Sequence, residues 1–293
     1  MKKSIPFWIL CILVLWAVII WFVPKQCCSG DATIAESTQN SNAWPAFMAK
    51  DGRFKSKCDS DFVFVNHTYT IKKPIPSTLG PCVGETAKYL KDNPNRIMTI
   101  EGLYMSNEKN QSLYQNLGIA RAHSLKDYFV SKGANVKQFE LTGKLVDTLK
   151  ISDQGDVVAA GNYYFNERNN DRLAEVEKRL RANGIELYFQ TNQSNLTLND
   201  QQRSYISDLK YYMDNKDDAT IDVTGHTDSD GAAASNLALS QRRAEYIKAY
   251  ITKAIGISSN RITAAGKGET SPKATNNTPE GKALNRRVEL KLH

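Results

Sequence analysis

Two stretches of this chain, 123 residues apart, repeat one order of apolar and polar positions through a strand, a helix and a second strand. Nothing else in the sequence limits the fold as tightly. Ile97-Met98-Thr99-Ile100-Glu101-Gly102 parallels Thr220-Ile221-Asp222-Val223-Thr224-Gly225. In the second copy Ile221 and Val223 alternate with polar neighbours, the pattern of a half-buried strand. Ala122, Leu125, Tyr128 and Phe129 fall 122 positions before Ala244, Ile247, Tyr250 and Ile251, at the spacing of one apolar helix face. Leu117 and Arg121 fall on Leu239 and Arg243 in the same way. Leu141-Thr142-Gly143-Lys144 then follows the first helix as Ala264-Ala265-Gly266-Lys267 follows the second. A nearly constant offset through three elements is hard to obtain by chance, and it predicts two copies of one fold.

A chain of 293 residues has room for two such domains. The net charge of +7 is modest and consistent with a solvated surface. There is no Arg-rich helix and no Gly-rich phosphate loop, so neither nucleic acid nor a nucleotide is expected as a partner. The spacing of cysteines and histidines suggests no metal, and no cofactor is expected.

Ahead of the repeats, Lys2 and Lys3 precede an unbroken apolar run from Ile5 to Val23. About 19 residues at ~1.5 Å each match a hydrocarbon core of ~30 Å. A secretory signal would have a shorter apolar region and a small-residue cleavage site. The expectation is therefore a cytoplasmic stub and single-pass anchor at 1–24, N-terminus inside, in the cytoplasmic (inner) membrane, with the bulk of the chain in the periplasm. Residues 25–50 read as a polar periplasmic linker. Within it, Trp44-Pro45-Ala46-Phe47-Met48 is expected to be a docking patch.

The second repeat carries a distinctive polar set. Gly225-His226-Thr227-Asp228 ends the strand, followed by Gly231, Asn236, Leu239-Ser240 and Arg243-Ala244. Asn276, Thr278, Gly281 and Asn285-Arg286-Arg287-Val288 close the chain. These residues resemble the OmpA-like, peptidoglycan-associated domain family. The resemblance implies an α/β fold of the α+β sandwich kind. It would comprise two tandem βαβαββ domains, a degenerate one at 51–168 and a peptidoglycan-binding one at 169–293. It further implies that Asp228 and Arg243 take the ammonium and carboxylate of diaminopimelate in the peptidoglycan stem peptide, through charge-assisted hydrogen bonds. Thr227 and Asn236 would be auxiliary contacts. One of Arg286 and Arg287 would point at the notch, and the sequence does not say which. Gly225, His226, Gly231, Leu239 and Asn285 would be structural members of the motif. Lys282 departs from the family's usual Arg and loses bidentate geometry.

His226 beside Asp228 invites an acid–base reading, but no nucleophile motif surrounds it. No catalytic residue and no enzyme activity are expected. In the first repeat Asp228 falls on Met105, so the carboxylate is absent there and Arg121 reads as a solvated or structural helix residue. Flagellar stator subunits also resemble an anchor plus this domain, but they need an ionisable group in the span, and residues 5–23 contain no Asp, Glu, Lys or Arg.

Of five cysteines, Cys58 and Cys82 bracket the first strand region in a compartment read as oxidising. A disulfide is expected there, with two free buried thiols as the alternative. Cys11 falls in the span, and Cys27 and Cys28 could link two chains. The functional expectation is a membrane-anchored protein that holds the cell wall non-covalently. The alternative is a structural subunit of an envelope-spanning secretion or contractile machine whose first domain binds protein partners.

Overall fold

The computed structural model describes residues 46–182, 184–188 and 198–293. The expected span at 5–23, Cys11, Cys27 and Cys28, and Trp44-Pro45 lie outside the described residues. Among the described residues no helix is long and apolar enough to cross a membrane. All of them belong to one unit, Trp44–His293.

The described part opens with an antiparallel ribbon, β1 (Met48–Asp51) and β2 (Phe54–Lys57). Then come β3 (Val63–Phe64), α1 (Leu79–Asp92), β4 (Arg96–Tyr104), α2 (Leu117–Ser131) and β5 (Phe139–Leu145). β6 (Lys150–Ile151), β7 (Val157–Val158) and β8 (Gly161–Glu167) complete the first half. The second half comprises α3 (Asp171–Ala182), β9 (Ile185–Tyr188), α4 (Asp200–Asn215), β10 (Ile221–Gly225), α5 (Ala233–Ile255), β11 (Ile262–Gly266), α6 (Pro279–Asn285) and β12 (Arg287–Leu292).

The strand expected at 221–225 is β10, and its burial alternates as the sequence pattern requires, with Ile221 and Val223 in the core. It lies inside a four-stranded sheet of order β11-β10-β12-β9, parallel to β11 and antiparallel to β12. A parallel neighbour needs a long crossover, which α5 supplies. Its inner stripe, Asn236, Ser240, Ala244, Ile247, Ile251 and Ile255, recurs every three to four residues, and Gly256 ends the helix in the left-handed region. Helix α4 starts in a capping box, with Asn199 and Gln202 each satisfying the other's backbone, and buries Ile206, Leu209 and Met213.

The first half uses the same pairing. β4 is parallel to β5 across the α2 crossover and antiparallel to β8, in the order β5-β4-β8. Gly102 faces Gly143 in that ladder as Gly225 faces Gly266 in the other. A Cβ on Gly102 would collide with the Gly118 carbonyl, and one on Gly225 with the Ser240 carbonyl. Both glycines therefore sit where a helix backbone closes onto a strand. The first half departs from βαβαββ at its edge. Among the described residues no fourth strand pairs with β8; the β1–β2 ribbon packs beside it, and β3 joins β7 and β6 in a separate small sheet.

Two readings of the N-terminal region change. Phe47 is fully buried among Phe62, Phe129 and Tyr163, and Ala49 is buried too, so 46–50 belong to the folded core and not to a linker. Of the described part of the expected docking patch, Met48 alone is an exposed large apolar side chain. Cys58 and Cys82 are joined in a disulfide, Cα–Cα 5.9 Å, that ties β2 to α1.

The two halves share an interface with both apolar and ionic parts. Leu113, Tyr114 and Ala120 of the first half belong to the core cluster of the second. Asp214 takes Lys126 from α2 at 2.6 Å and Lys210 from its own helix at 2.5 Å, with both lysines nearly buried. Arg172 bonds Glu140 at 2.8 Å, and the Arg203 guanidinium donates to the Ser112 carbonyl. Ion pairs this desolvated make separation costly, because parting them strands charges in an apolar setting.

Candidate functional site

The site sits where β10 runs out. Backbone pairing continues one step past the strand: His226 N–H donates to the Arg287 carbonyl and Thr227 N–H to the Gly268 carbonyl, both at 2.9 Å. The chain then turns through Asp228-Ser229-Asp230-Gly231, with Gly231 at φ +98°, a conformation open to glycine at little cost. Asp228 folds back so that one carboxylate oxygen accepts from the Asp230 N–H at 3.3 Å. Its other oxygen accepts from Arg286 Nη1 at 2.7 Å. The pair is largely buried, with side-chain exposures of 12% for Asp228 and 23% for Arg286.

Arg243 reaches the same loop from α5. It is half-buried, and its Nη1 lies 3.4 Å from the His226 carbonyl it donates to. Burial pushes its guanidinium pKa down, the Asp228 carboxylate pulls it back up, and Arg286 opposes it again. The Asp228 carboxylate therefore bonds one guanidinium and acts electrostatically on a second. An arginine stays protonated under such a load.

Arg286 and Arg287 are thus distinguished by geometry. Arg286 is the C-cap of α6 and turns to Asp228, whereas Arg287 opens β12 and bonds Glu289 at 2.7 Å, with Glu186 at 3.9 Å. Arg287 is buried in that cluster and is not brought to the carboxylate of Asp228. Asn236 is buried and bridges the loop to the next one, donating to the Asp228 carbonyl at 3.3 Å and to Glu269 at 2.5 Å. Thr227 is buried, with no hydrogen-bond partner for its hydroxyl among the described residues. His226 is buried, and burial followed by the charge of Arg287 pushes its pKa down, so the ring is neutral at pH 7. Its Nε2 stands 3.7 Å from Glu289. A neutral imidazole packed under the loop fits a structural place in the motif.

Asn285 does more than its position in the motif announced. Its fully buried amide accepts from the Lys273 and Ala274 N–H groups and donates to the Ala274 carbonyl and to Asn276. Asn276 in turn accepts from the Ser229 N–H at 3.3 Å, so the end of the chain holds the Asp228 loop. Leu239 is half-buried on α5, and Lys282 pairs with Asp230 at 2.7 Å on the surface. Sequence reasoning missed Glu269 as the partner of Asn236; its only signal was a position two residues beyond Lys267.

The equivalent place in the first half is occupied from within. The position of Asp228 does fall on Met105, but the expected absence of a carboxylate is incorrect. Glu108, three residues further on, turns back and accepts from the Met105 N–H at 2.8 Å. Its two oxygens take Arg121 Nη2 at 2.5 Å and Nη1 at 3.1 Å, and both side chains are fully buried. Arg121 also donates to the Leu103 and Thr68 carbonyls and lies over the Phe64 ring. Arg121 is therefore a sealed structural residue and not a solvated one.

Fold and site define a mixed α/β module that carries a small, charged polar notch at the strand ends of one sheet. Residues 188–286 are an OmpA family domain. The chain is 51% identical over 73 residues to outer membrane protein A of Bordetella avium, covering 25% of this chain and 37% of that one. It is 45% identical over 87 residues to outer membrane porin F of Pseudomonas fluorescens, covering 30% and 26%. It is 41% identical over 73 residues to the peptidoglycan-binding protein ArfA of Mycobacterium tuberculosis, covering 25% and 22%. The chain thus spans well under half the length of these relatives. Among solved structures it is similar to the peptidoglycan-associated lipoprotein from Burkholderia pseudomallei, at 26% identity and a TM-score of 0.33, covering 37% of this chain and 89% of that one. The cell wall anchor of a type VI secretion system from Pseudomonas aeruginosa matches at 27% identity and a TM-score of 0.30, covering 42% and 94%.

Proposed function

We propose that this chain is a membrane-anchored envelope protein that holds peptidoglycan non-covalently through the notch around Asp228, without catalysis. The observation that carries the reading is the charge arrangement: one largely buried carboxylate bonded to Arg286 and acting electrostatically on a half-buried Arg243, so that both signs of charge meet at one loop. A diaminopimelate centre offers an ammonium for Asp228 and a carboxylate for Arg243, and both contacts would be charge-assisted. The match of residues 188–286 to the OmpA family, and the likeness over 73 residues to a relative named a peptidoglycan-binding protein, support the same reading. The anchor is the apolar run at 5–23, with the folded unit in the periplasm.

The test is co-sedimentation of the full chain with purified sacculi. Asp228→Ala or Arg243→Ala removes one partner of a desolvated charge pair, a loss of about 2–5 kcal/mol. Sedimentation should drop to background while the far-ultraviolet signal is unchanged. Undiminished binding by both variants would sink the assignment.

A second reading concerns the first half, which we take to be a degenerate copy of the domain. Its notch is filled by Glu108, and it is fused to the second half through the Asp214 cluster. That combination suits a rigid body that receives a protein partner while the second half holds the wall.

A further inference from the structure

On the side of the first half, between the start of the chain's described region and the strands β6 to β8, lies a cleft of about 400 Å³. It belongs to neither notch. Asp61 lines it, and that residue is only 7% exposed. One carboxylate oxygen accepts from the adjacent Phe62 N–H at 2.7 Å, and among the described residues no cation pairs with it. Tyr163 lines the same cleft, with its hydroxyl buried and without a partner among the described residues. Burial, and then the charge of Asp61, push the phenol pKa well up, so it stays a neutral hydroxyl. Lys150 lies on the rim and is exposed, yet forms no ion pair with Asp61.

An unpaired carboxylate in an apolar setting is costly unless it is neutralised or paired. Burial accordingly pushes the Asp61 carboxyl up to about 7. The walls are apolar and partly aromatic: Met48 and Tyr164 stand 52% and 47% exposed at the mouth, with Leu149 beside them. Exposed apolar side chains around a buried charged floor are the pattern of an anchor pocket in a protein interface. The charge on the floor selects the guest. An anion would be repelled, and a single carboxylate is too few ligands for a metal ion. A compact cation on an apolar stem satisfies floor and walls together, with the Tyr164 ring able to face it.

We propose that this cleft receives the side chain of a lysine from a protein partner, its ammonium on Asp61 and the Tyr163 hydroxyl, its methylene stem against Met48, Leu149 and Tyr164. The inference rests on the reading of the first half as a protein-binding body and is independent of the wall-binding notch.

The experiment uses the full chain in detergent and the blocked peptide acetyl-Ala-Lys-Ala-amide, with its Nε-acetyl-lysine analogue and n-butylammonium as controls. Binding is followed by the amide resonances of Phe62 and Tyr163. At pH 8 the lysine peptide should shift both. Acetylation should remove the effect, Asp61→Asn should weaken it at least tenfold, and lowering the pH to 5.5 should weaken it through protonation of Asp61. Tyr164→Ala should weaken it several-fold without touching the carboxylate. Equal binding of the lysine and acetyl-lysine peptides, unchanged binding by Asp61→Asn, or no binding by any probe at 10 mM would overturn the proposal. Binding of n-butylammonium alone would overturn the protein source of the ammonium. Sacculus co-sedimentation of Asp61→Asn should equal that of wild type, and Asp228→Ala should keep its lysine site, so a failure of one reading is visible apart from the other.

Discussion

Replacing Asp61 by Asn should stabilise the protein, and the gain should appear only as the pH rises. Asp61 carries its proton up to about pH 7 in the folded state, against 3.8 for a free side chain. A carboxyl whose folded pKa is raised contributes stability that is complete below about pH 4 and is lost as pH rises through about 7. The interval between 3.8 and about 7, at about 1.36 kcal/mol for each pH unit, sets the loss at no more than about 4 kcal/mol by pH 8. Asn has nearly the same shape and no charge. Its carbonyl can keep the bond from Phe62 N–H, and its new donor has the unpartnered Tyr163 hydroxyl within the same cleft. Urea-unfolding midpoints should therefore nearly coincide for wild type and variant at pH 4. They should separate at pH 8, the variant higher by about 1 M for a slope of a few kcal/mol per M. Every other titrating group cancels in the difference. A variant less stable than wild type at both pH values, or a difference that does not change with pH, would refute the argument from burial.

Arg121→Ala should destabilise by about 3–5 kcal/mol, because it strands the buried Glu108 carboxylate; Arg121→Ala with Glu108→Ala should recover part of that, read as melting temperatures. Reducing the Cys58–Cys82 bridge releases a loop of 24 residues and should cost about 3 kcal/mol, and alkylation should gain two thiols in the first half only after reduction. Arg286→Ala should loosen Asp228 and weaken sacculus binding, while Arg287→Ala should act on stability first, since its partners are Glu289 and Glu186.

What was legible in the sequence followed period and motif. The alternation around Ile221 and Val223 shows in a strand with one face in the core, and the spacing of Ala244, Ile247 and Ile251 fixes the buried side of α5. The closing motif named the residues of the notch, but not which of two adjacent arginines enters it. That choice is made by the backbone at Arg286, which is neither helical nor extended at φ −77° and ψ 71°, and no periodicity reports such a residue. Glu108 escaped for a related reason. It reaches Arg121 through a return of three residues that lies outside the register of the repeat. Phe47 looked like an exposed aromatic because its segment is too short to show a pattern, and its place inside the core comes from contacts with Phe129 and Tyr163, more than 80 positions away. Leu113 and Tyr114 precede a helix and resemble loop residues; only the second half's core explains them.

The two arginines at corresponding positions show how one scaffold yields opposite properties. Arg121 and Arg243 both rise from the crossover helix toward the end of the strand that carries the close-packed glycine. In the first half a single carboxylate meets a single guanidinium with bidentate geometry, the charges sum to zero, and neither side chain sees solvent. Such a pair is complete, and it holds the loop from Met105 to Glu108 in place. In the second half the carboxylate is drawn to Arg286 from the end of the chain, and Arg243 keeps a share of it while remaining half-buried. There the carboxylate and its two arginines are not sealed from solvent as the first pair is. Because the Lys126–Asp214 ion pair and the packing of Leu113 and Tyr114 into the second core join the halves, the notch and the Asp61 cleft are held on one body.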